Sequence, residues 1–260
     1  MRIPLYQVDA FADKVFTGNP AAVCPLERWL DDDLLQSIAA ENNLAETAFF
    51  VATDRGFHIR WFTPATEVDL CGHATLASAY VIFHCLKFIG TSISFQSRSG
   101  ILEVTRDGEW LALNFPTDQI EKVEITRAYS SCFDKHPVEL YRGKTDLMFV
   151  FSKPGDIESI SPDFLKLASL KERGAIVTSA GRDTDFISRF FAPAVGINED
   201  PVTGSAHTTL IPFWSKRLGK TELTARQVSK RGGYLKCKYL NDRVEISGRA
   251  AFYLAGEISV

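Results

Sequence analysis

The stretch Arg60–Ala65 (RWFTPA) indicates the fold, because it returns in altered form as Arg189–Ala194 (RFFAPA), 129 residues later. Two further pairs follow in the same order, at offsets of 132 and 133: Cys71–Thr75 (CGHAT) with Thr203–His207 (TGSAH), and Gly100–Val104 (GILEV) with Gly233–Cys237 (GYLKC). Collinear matches at nearly half the chain length are typical of an internal repeat. The sequence therefore predicts one ancestral unit used twice.

Each half has the same order of predicted elements, in which strands come first and an apolar helix follows a glycine. His73–Leu86 (HATLASAYVIFHCL) is apolar on all sides, and such a helix is buried on all sides. Ser205–Leu218 is its counterpart, and Pro212 predicts a kink or a break in it. We expect an α+β fold of two pseudo-symmetric domains, residues 1–116 and 117–260. Each would be a barrel-like sheet around one buried helix, with the last strand free to pack back on the first domain.

The composition argues against several classes of protein. The 260 residues are 45% hydrophobic and 23% charged, with a net charge of −3, so the chain lacks the basic surface typical of nucleic-acid binding. Five cysteines without a CxxC pair argue against a disulfide framework and a zinc site, which favours a reducing cytoplasm. Neither the N-terminal residues nor the 17-residue uncharged stretch Leu70–Leu86 has the pattern of a signal peptide or a clear membrane span.

Both predicted central helices begin at a glycine, Gly72 and Gly204. A helix N-terminus offers unpaired N–H groups and partial positive charge, which suits an anion. Two such termini related by a pseudo-twofold would face one cleft and hold a small carboxylate. The alternative is that these glycines only start helices.

Glu46 is the candidate proton carrier, because it lies in the otherwise uncharged run Leu44–Val51 (LAETAFFV). A carboxyl group among apolar neighbours holds its proton more tightly than in water, which suits general acid–base work. The alternative is a glutamate at a strand end that points into solvent. The repeat offset of 129 places Ala175 opposite Glu46. The second half thus supplies no duplicate base, which favours a proton shift on one face over racemization.

Five segments in chain order resemble the signature segments of the PhzF-like proteins of phenazine biosynthesis. They are Gly18–Val23 (GNPAAV), Asn43–Phe49 (NLAETAF), Arg60–Ala65 (RWFTPA), Glu67–Thr75 (EVDLCGHAT) and Asp200–His207 (DPVTGSAH). That family belongs to the diaminopimelate-epimerase-like superfamily, which also contains proline racemase. The resemblance implies the same fold as the repeat, two pseudo-symmetric domains with a sheet around a central helix.

The resemblance also implies an activity. It points to a cofactor-independent isomerase that acts like trans-2,3-dihydro-3-hydroxyanthranilate isomerase on a small carboxylated substrate, and to a homodimer without bound metal. The implied catalytic residues are Glu46, His73 and Asp200, with Glu46 as acid/base. The implied substrate-binding residues are Asn19, Cys71, Gly72, Gly204 and Ser205.

Cys71 points to a second hypothesis, in which the protein is a racemase or epimerase that uses this thiol. In the racemase and epimerase relatives a cysteine precedes each helix-opening glycine, whereas this chain has Cys71 at the first position and Thr203 at the second. Threonine is too weak an acid to replace a thiol, which argues against two-cysteine racemization. A thiol at a helix N-terminus is expected to have a lowered pKa and to be reactive, unless it is simply a small buried hydrophobe. A third possibility is a small-acid-binding or interaction protein without catalysis. His207, near the start of the second central helix, is a further candidate to line the cleft.

Overall fold

Strands and helices are mixed along the chain in a computed structural model that describes residues 1–260. The strands are β1 (Arg2–Ala10), β2 (Asn19–Leu26), β3 (Glu46–Thr53), β4 (Gly56–Phe62), β5 (Glu67–Val68), β6 (Ser92–Ser97), β7 (Gly100–Asp107), β8 (Trp110–Pro116), β9 (Glu121–Val123), β10 (Glu139–Arg142), β11 (Asp146–Val150), β12 (Gly174–Ala180), β13 (Phe186–Ala192), β14 (Ile197–Asp200), β15 (Glu222–Gln227), β16 (Gly233–Tyr239), β17 (Arg243–Gly248) and β18 (Ala250–Ser259). The helices are α1 (Asp32–Asn42), α2 (Gly72–Tyr80), α3 (Arg127–Ser130), α4 (Pro154–Ser159), α5 (Phe164–Ala168) and α6 (Gly204–Leu218). The predicted α+β class is confirmed.

The chain divides into two compact units. The first contains Met1–Asn114 and Ser247–Val260, and the second contains Phe115–Ile246. The C-terminal strand belongs to the first unit because β18 pairs antiparallel with β1, from Arg2 opposite Ser259 to Ala10 opposite Ala250.

The helix α2 forms the centre of the first unit, where it packs on β1, β2 and β3. Its residues His73–Ala79 are all buried, as the apolar pattern predicts. The predicted helix His73–Leu86 is not α-helical throughout, because a π-helical turn occupies Val81–Cys85. No helix of the chain combines the length and the apolar content needed to cross a membrane.

The second central helix, α6, runs through Pro212 without interruption. Of the predicted kink or break, the break is therefore wrong, and the kink stays a prediction. A proline in a helix frees the carbonyl four residues before it, here that of Thr208. This carbonyl accepts a hydrogen bond from the Asp118 backbone N–H at 3.2 Å, so the helix continues without an unsatisfied polar group.

The predicted duplication extends to individual side-chain contacts. Arg60 Nε donates to Glu67 Oε1 at 2.7 Å, and Arg189 Nε donates to Glu199 Oε1 at 2.6 Å. Both pairs are bidentate. Each guanidinium also lies over the ring of the phenylalanine two residues later, at 5.1 Å and 5.0 Å from the ring centre. The repeated motif thus forms the same bidentate arginine–glutamate ion pair, stacked on a phenylalanine ring, in both units.

The strand ladders identify the structural counterpart of Glu46. Arg60 pairs with the residue three positions after Glu46, and Arg189 pairs with the residue three positions after Gly174. The counterpart of Glu46 is therefore Gly174, and Ala175, predicted from the offset, is wrong by one residue. The reason is that the second hairpin is one residue longer than the first. The conclusion that the second unit has no carboxylate at this position is unchanged.

Candidate active site

The first unit brings Glu46 against His73 at the start of α2. Glu46 is the first residue of β3, and its Oε2 lies 3.1 Å from His73 Nε2. The two side chains are only 13% and 6% exposed. The atoms are within ion-pair distance, but neither makes an aligned hydrogen bond. The alternative of a strand-end glutamate that points into solvent is therefore wrong.

The other ring nitrogen of His73 faces Asn19 and Cys71. Asn19 Nδ2 lies 3.2 Å from His73 Nδ1, and Cys71 Sγ lies 3.5 Å from the same nitrogen. In the neutral ring, an amide N–H that donates to Nδ1 leaves the ring proton on Nε2. When the ring takes a second proton, its Nδ1–H can turn to the sulfur. In both states Nε2 carries a proton toward Glu46.

Burial and charge shift the pKa of both His73 and Cys71. Burial alone would lower the pKa of His73, but the Cys71 sulfur and the Glu46 carboxylate outweigh it and hold that pKa well above its usual range. Burial raises the pKa of the Cys71 thiol, and the Glu46 carboxylate raises it further. Of the two alternatives for Cys71, the reactive thiol with a lowered pKa is therefore wrong, and its burial agrees with the other, a small buried side chain.

Glu46, Cys71 and His73 together offer three metal-ligand atoms within 4.8 Å of one another. Residue spacing in the sequence did not predict this cluster. His73 meets the sulfur through Nδ1 and the carboxylate through Nε2, so one ion cannot use both contacts at once. This geometry suits proton transfer along the imidazole better than it suits a metal.

In the second unit, Thr203 occupies the position that Cys71 has in the first. Its Oγ1 donates to Asp200 Oδ2 at 2.5 Å, and its backbone N–H donates to Gln227 Oε1 at 2.8 Å. Gln227 Nε2 in turn donates to the Asp200 carbonyl at 2.8 Å. The threonine hydroxyl is thus committed to Asp200, and this unit has no thiol at the start of its central helix.

Ser205 is the counterpart of His73, and it contacts Arg173. Arg173 Nη2 donates to Ser205 Oγ at 3.1 Å. The guanidinium also donates to both carboxylate oxygens of Asp146, at 2.9 Å from Nε and 2.5 Å from Nη2. Sequence reasoning missed Arg173 and Gln227. The signal that could have found Arg173 is its position directly before Gly174, the counterpart of Glu46.

His207 does not line a cleft, as was considered from the sequence, because it is fully buried. Its Nδ1 donates to the Thr203 carbonyl at 2.8 Å. Burial lowers the pKa of His207 to about 4, so the ring is neutral at physiological pH. It is a core residue of the second unit.

Gly72 and Gly204 begin α2 and α6, as predicted, and neither helix has a side-chain cap from the preceding residue. The first N–H groups of both helices are therefore not satisfied by capping. The role of these amides as anion contacts stays a prediction.

A buried carboxylate–imidazole pair at the start of a central helix, in one of two repeated α+β units, is the defining feature of this chain. The fold is similar to that of a solved hydroxyproline epimerase from Agrobacterium vitis, which is 10% identical, with a TM-score of 0.65 over 100% of this chain and 93% of that one. A sequence model of the phenazine biosynthesis-like proteins (PhzC-PhzF) matches residues 8–256. The chain belongs to this family.

Two relatives cover the chain almost completely. It is similar to an uncharacterized isomerase of Pseudomonas aeruginosa, at 48% identity over 99% of both chains. It is also similar to a solved PhzF-family phenazine biosynthesis protein of Enterococcus faecalis, at 47% identity, with a TM-score of 0.98 over 100% of both chains.

Proposed function

We propose that this protein is a cofactor-independent isomerase with Glu46 as its acid/base. It would move a proton between carbon atoms of a small cyclic carboxylated substrate, of the type of trans-2,3-dihydro-3-hydroxyanthranilate. The observation that carries the proposal is the Glu46 carboxylate, nearly buried and 3.1 Å from His73 Nε2 without an aligned hydrogen bond. The name isomerase borne by a relative that is 48% identical supports the reaction class.

The proposed reaction needs only one proton carrier. In the first step a carbon–hydrogen bond breaks, its electron pair enters the conjugated system of the substrate, and the proton bonds to the Glu46 carboxylate. In the second step the same proton returns to another carbon of that system, which regenerates the carboxylate. His73 keeps its Nε2 3.1 Å from the carboxylate, and Asn19 contacts the other ring nitrogen, Nδ1, at 3.2 Å.

The substrate contacts proposed from the family resemblance are Asp200, Ser205, Cys71 and the amides of Gly72 and Gly204. Asp200 would accept a hydrogen bond from an amine or hydroxyl group of the substrate. Asp200→Asn tests this role, because it should weaken turnover while Glu46 remains intact.

The test is proton exchange followed by NMR in deuterated water. Wild-type protein, Glu46→Gln and the exposed control Glu41→Gln would be offered dihydro-hydroxyanthranilate and a panel of cyclic amino and hydroxy acids. We expect deuterium incorporation into at least one compound with wild type and Glu41→Gln, and none with Glu46→Gln. Absence of incorporation with every protein would favour a binding protein over an enzyme.

The competing function is racemization by Cys71, which the 3.5 Å contact between Cys71 Sγ and His73 Nδ1 favours. The raised pKa of the thiol and the threonine at its counterpart argue against it. Exchange that survives in Glu46→Gln and disappears in Cys71→Ser would replace our proposal with this one.

A further inference from the structure

A buried indole N–H in the first unit, that of Trp61, has no acceptor in the protein. Trp61 is only 1% exposed, and its Nε1 makes no hydrogen bond. An indole can only donate, and a buried indole usually finds an acceptor. Two other tryptophans do so at 3.0 Å, since Trp29 donates to His58 and Trp214 donates to Thr178. Trp61 is therefore an exception that needs a physical explanation.

The strand register places Trp61 on the face of the sheet that carries Glu46. Trp61 of β4 pairs with Ala48 of β3, which lies two residues after Glu46, and alternate residues of a strand point to the same face. Glu46 and Trp61 are thus diagonal neighbours on adjacent strands, about 7–8 Å apart, within reach of an aromatic side chain. The opposite face, with Phe49 and Phe62, packs on α1. Trp61 and Glu46 therefore both face α2, which packs on β3.

Three buried polar atoms on this side of the sheet lack an aligned hydrogen bond, namely Trp61 Nε1, Glu46 Oε2 and His73 Nε2. A buried polar group without a partner is costly, and a phenylalanine at position 61 would fill much of the same space without that cost. Each such group needs an explanation. A ligand beside Glu46 that completes the hydrogen bonds explains all three atoms together.

We propose that Trp61 is a substrate-binding residue of the first unit, and that its indole N–H donates to an uncharged oxygen of the substrate, a hydroxyl or a carbonyl group. The inference rests on the proposed function, which puts a substrate beside Glu46. The oxygen is uncharged because Glu46 and His73 already pair their charges, and an indole cannot neutralise a further buried anion. Trp61 selects for this oxygen, since a compound without it leaves the buried N–H unpaired.

The test observes the indole N–H signals of the four tryptophans by proton–nitrogen NMR, assigned by replacing one tryptophan at a time with phenylalanine. Two matched compounds are titrated into the wild-type protein: 3-hydroxyanthranilate, which has a hydroxyl group, and anthranilate, which lacks it. We expect 3-hydroxyanthranilate to move the Trp61 proton signal downfield and anthranilate to leave it nearly in place. The signals of Trp29 and Trp214 should not move with either compound, because these N–H groups are already bonded.

The same titrations give affinities. Wild type should bind 3-hydroxyanthranilate about 10-fold more tightly than anthranilate, as expected for one additional hydrogen bond. Trp61→Phe should remove this preference and leave the affinity for anthranilate unchanged. Trp29→Phe is the matched control, because it removes an indole N–H that His58 already accepts, and it should keep the preference. The wild-type signal needs no variant, so the proposal is tested even if Trp61→Phe does not fold.

Four results would each overturn the proposal. They are a Trp61 signal that 3-hydroxyanthranilate does not move or that anthranilate moves equally, equal affinity of wild type for the two compounds, a preference that survives in folded Trp61→Phe, and no binding of either compound at millimolar concentration.

The failure of this proposal is distinguishable from failure of the proposed function. Glu46→Gln should lose proton exchange and keep the Trp61 shift with 3-hydroxyanthranilate. If wild type exchanges no protons yet shows this shift, the isomerase proposal fails and the role of Trp61 in binding stands. If exchange depends on Glu46 and the Trp61 signal does not respond, the reverse holds.

Discussion

His73 and His207 both lie near the starts of the two central helices, and their surroundings shift their pKa values in opposite directions. His73 has a carboxylate at 3.1 Å, and its pKa is held well above its usual range. His207 has only the Thr203 carbonyl and an apolar core, and burial lowers its pKa to about 4. The two histidines are not repeat counterparts, since Ser205 corresponds to His73, but both lie in the first turns of the central helices. The comparison teaches that two buried imidazoles differ in pKa according to the charged groups beside each ring.

The strand that faces each helix start makes the same point. Glu46 begins one strand, and Gly174 begins its counterpart. A Cβ at Gly174 would lie 2.5 Å from the Phe190 ring and 3.0 Å from the Phe191 carbonyl. The second unit therefore has no room for a side chain where the first has its carboxylate.

The largest expected effect comes from erasing the carboxylate that distinguishes the first unit. Glu46→Gln should reduce proton exchange by about 10³-fold, or about 4 kcal/mol, since positioned general bases contribute ~10²–10⁴-fold. The exchange assay measures the rate, and urea unfolding checks that the fold is intact. A variant that kept more than a tenth of the wild-type rate would contradict the assignment.

The next largest effect is expected from lowering the pH, which should destabilise the second unit through His207. The folded pKa of His207 lies below its ordinary value of 6.5, so its contribution to stability is present above pH 6.5 and is lost as the pH falls toward 4. The full loss is about 3 kcal/mol at ~1.4 kcal/mol per pKa unit. Urea unfolding of wild type and His207→Gln across this range measures it. Equal pH slopes in the two proteins would refute this account.

Filling the space at Gly174 should destabilise the second unit. Gly174→Ala forces the buried Phe190 ring and the neighbouring backbone to move, which costs about 2 kcal/mol on the scale of core overpacking. Gly155→Ala is the matched control in the same unit, because the nearest atom to its new Cβ is an arginine nitrogen at 3.6 Å. Urea midpoints compare the two, and equal midpoints would show that the second unit tolerates a side chain here.

The smallest effect is expected from making the two helix starts alike. Cys71→Thr copies Thr203 into the first unit and removes the thiol. Because the proposed reaction uses Glu46 alone, the exchange rate should fall less than about 5-fold, or 1 kcal/mol. The NMR assay measures it against Cys71→Ser. A loss comparable to that of Glu46→Gln would make the thiol a proton carrier and favour the racemase alternative.

Much of the fold could be predicted because its signals are local. The repeated RWFTPA and RFFAPA segments, the glycines before both helices and the apolar run after Gly72 are all readable in short windows. A break at Pro212, one of the two outcomes that the sequence predicts, does not occur, because the Thr208 carbonyl accepts a hydrogen bond from Asp118, which is far away in the sequence. The predicted counterpart of Glu46 is wrong by one residue, because the offset of 129 does not account for the extra residue in the second hairpin.

The candidate site was predictable only in part. Family motifs indicated Asn19, Glu46 and His73, and the structure brings these three together. Arg173 and Gln227 carry no motif, so their contacts with Ser205 and Thr203 emerged only from the folded chain.

The amino-acid sequence by itself determined the duplication, the α+β class and the residue types at both helix starts, since these follow from residue identities and from the pattern of apolar residues along the chain. Only the tertiary structure decided the protonation of those residues. Cys71 stands at a helix N-terminus, which favours a thiolate, yet its burial beside Glu46 raises its pKa. Charge in a protein depends on desolvation and on groups brought close from distant segments, and neither is written in a single stretch of sequence.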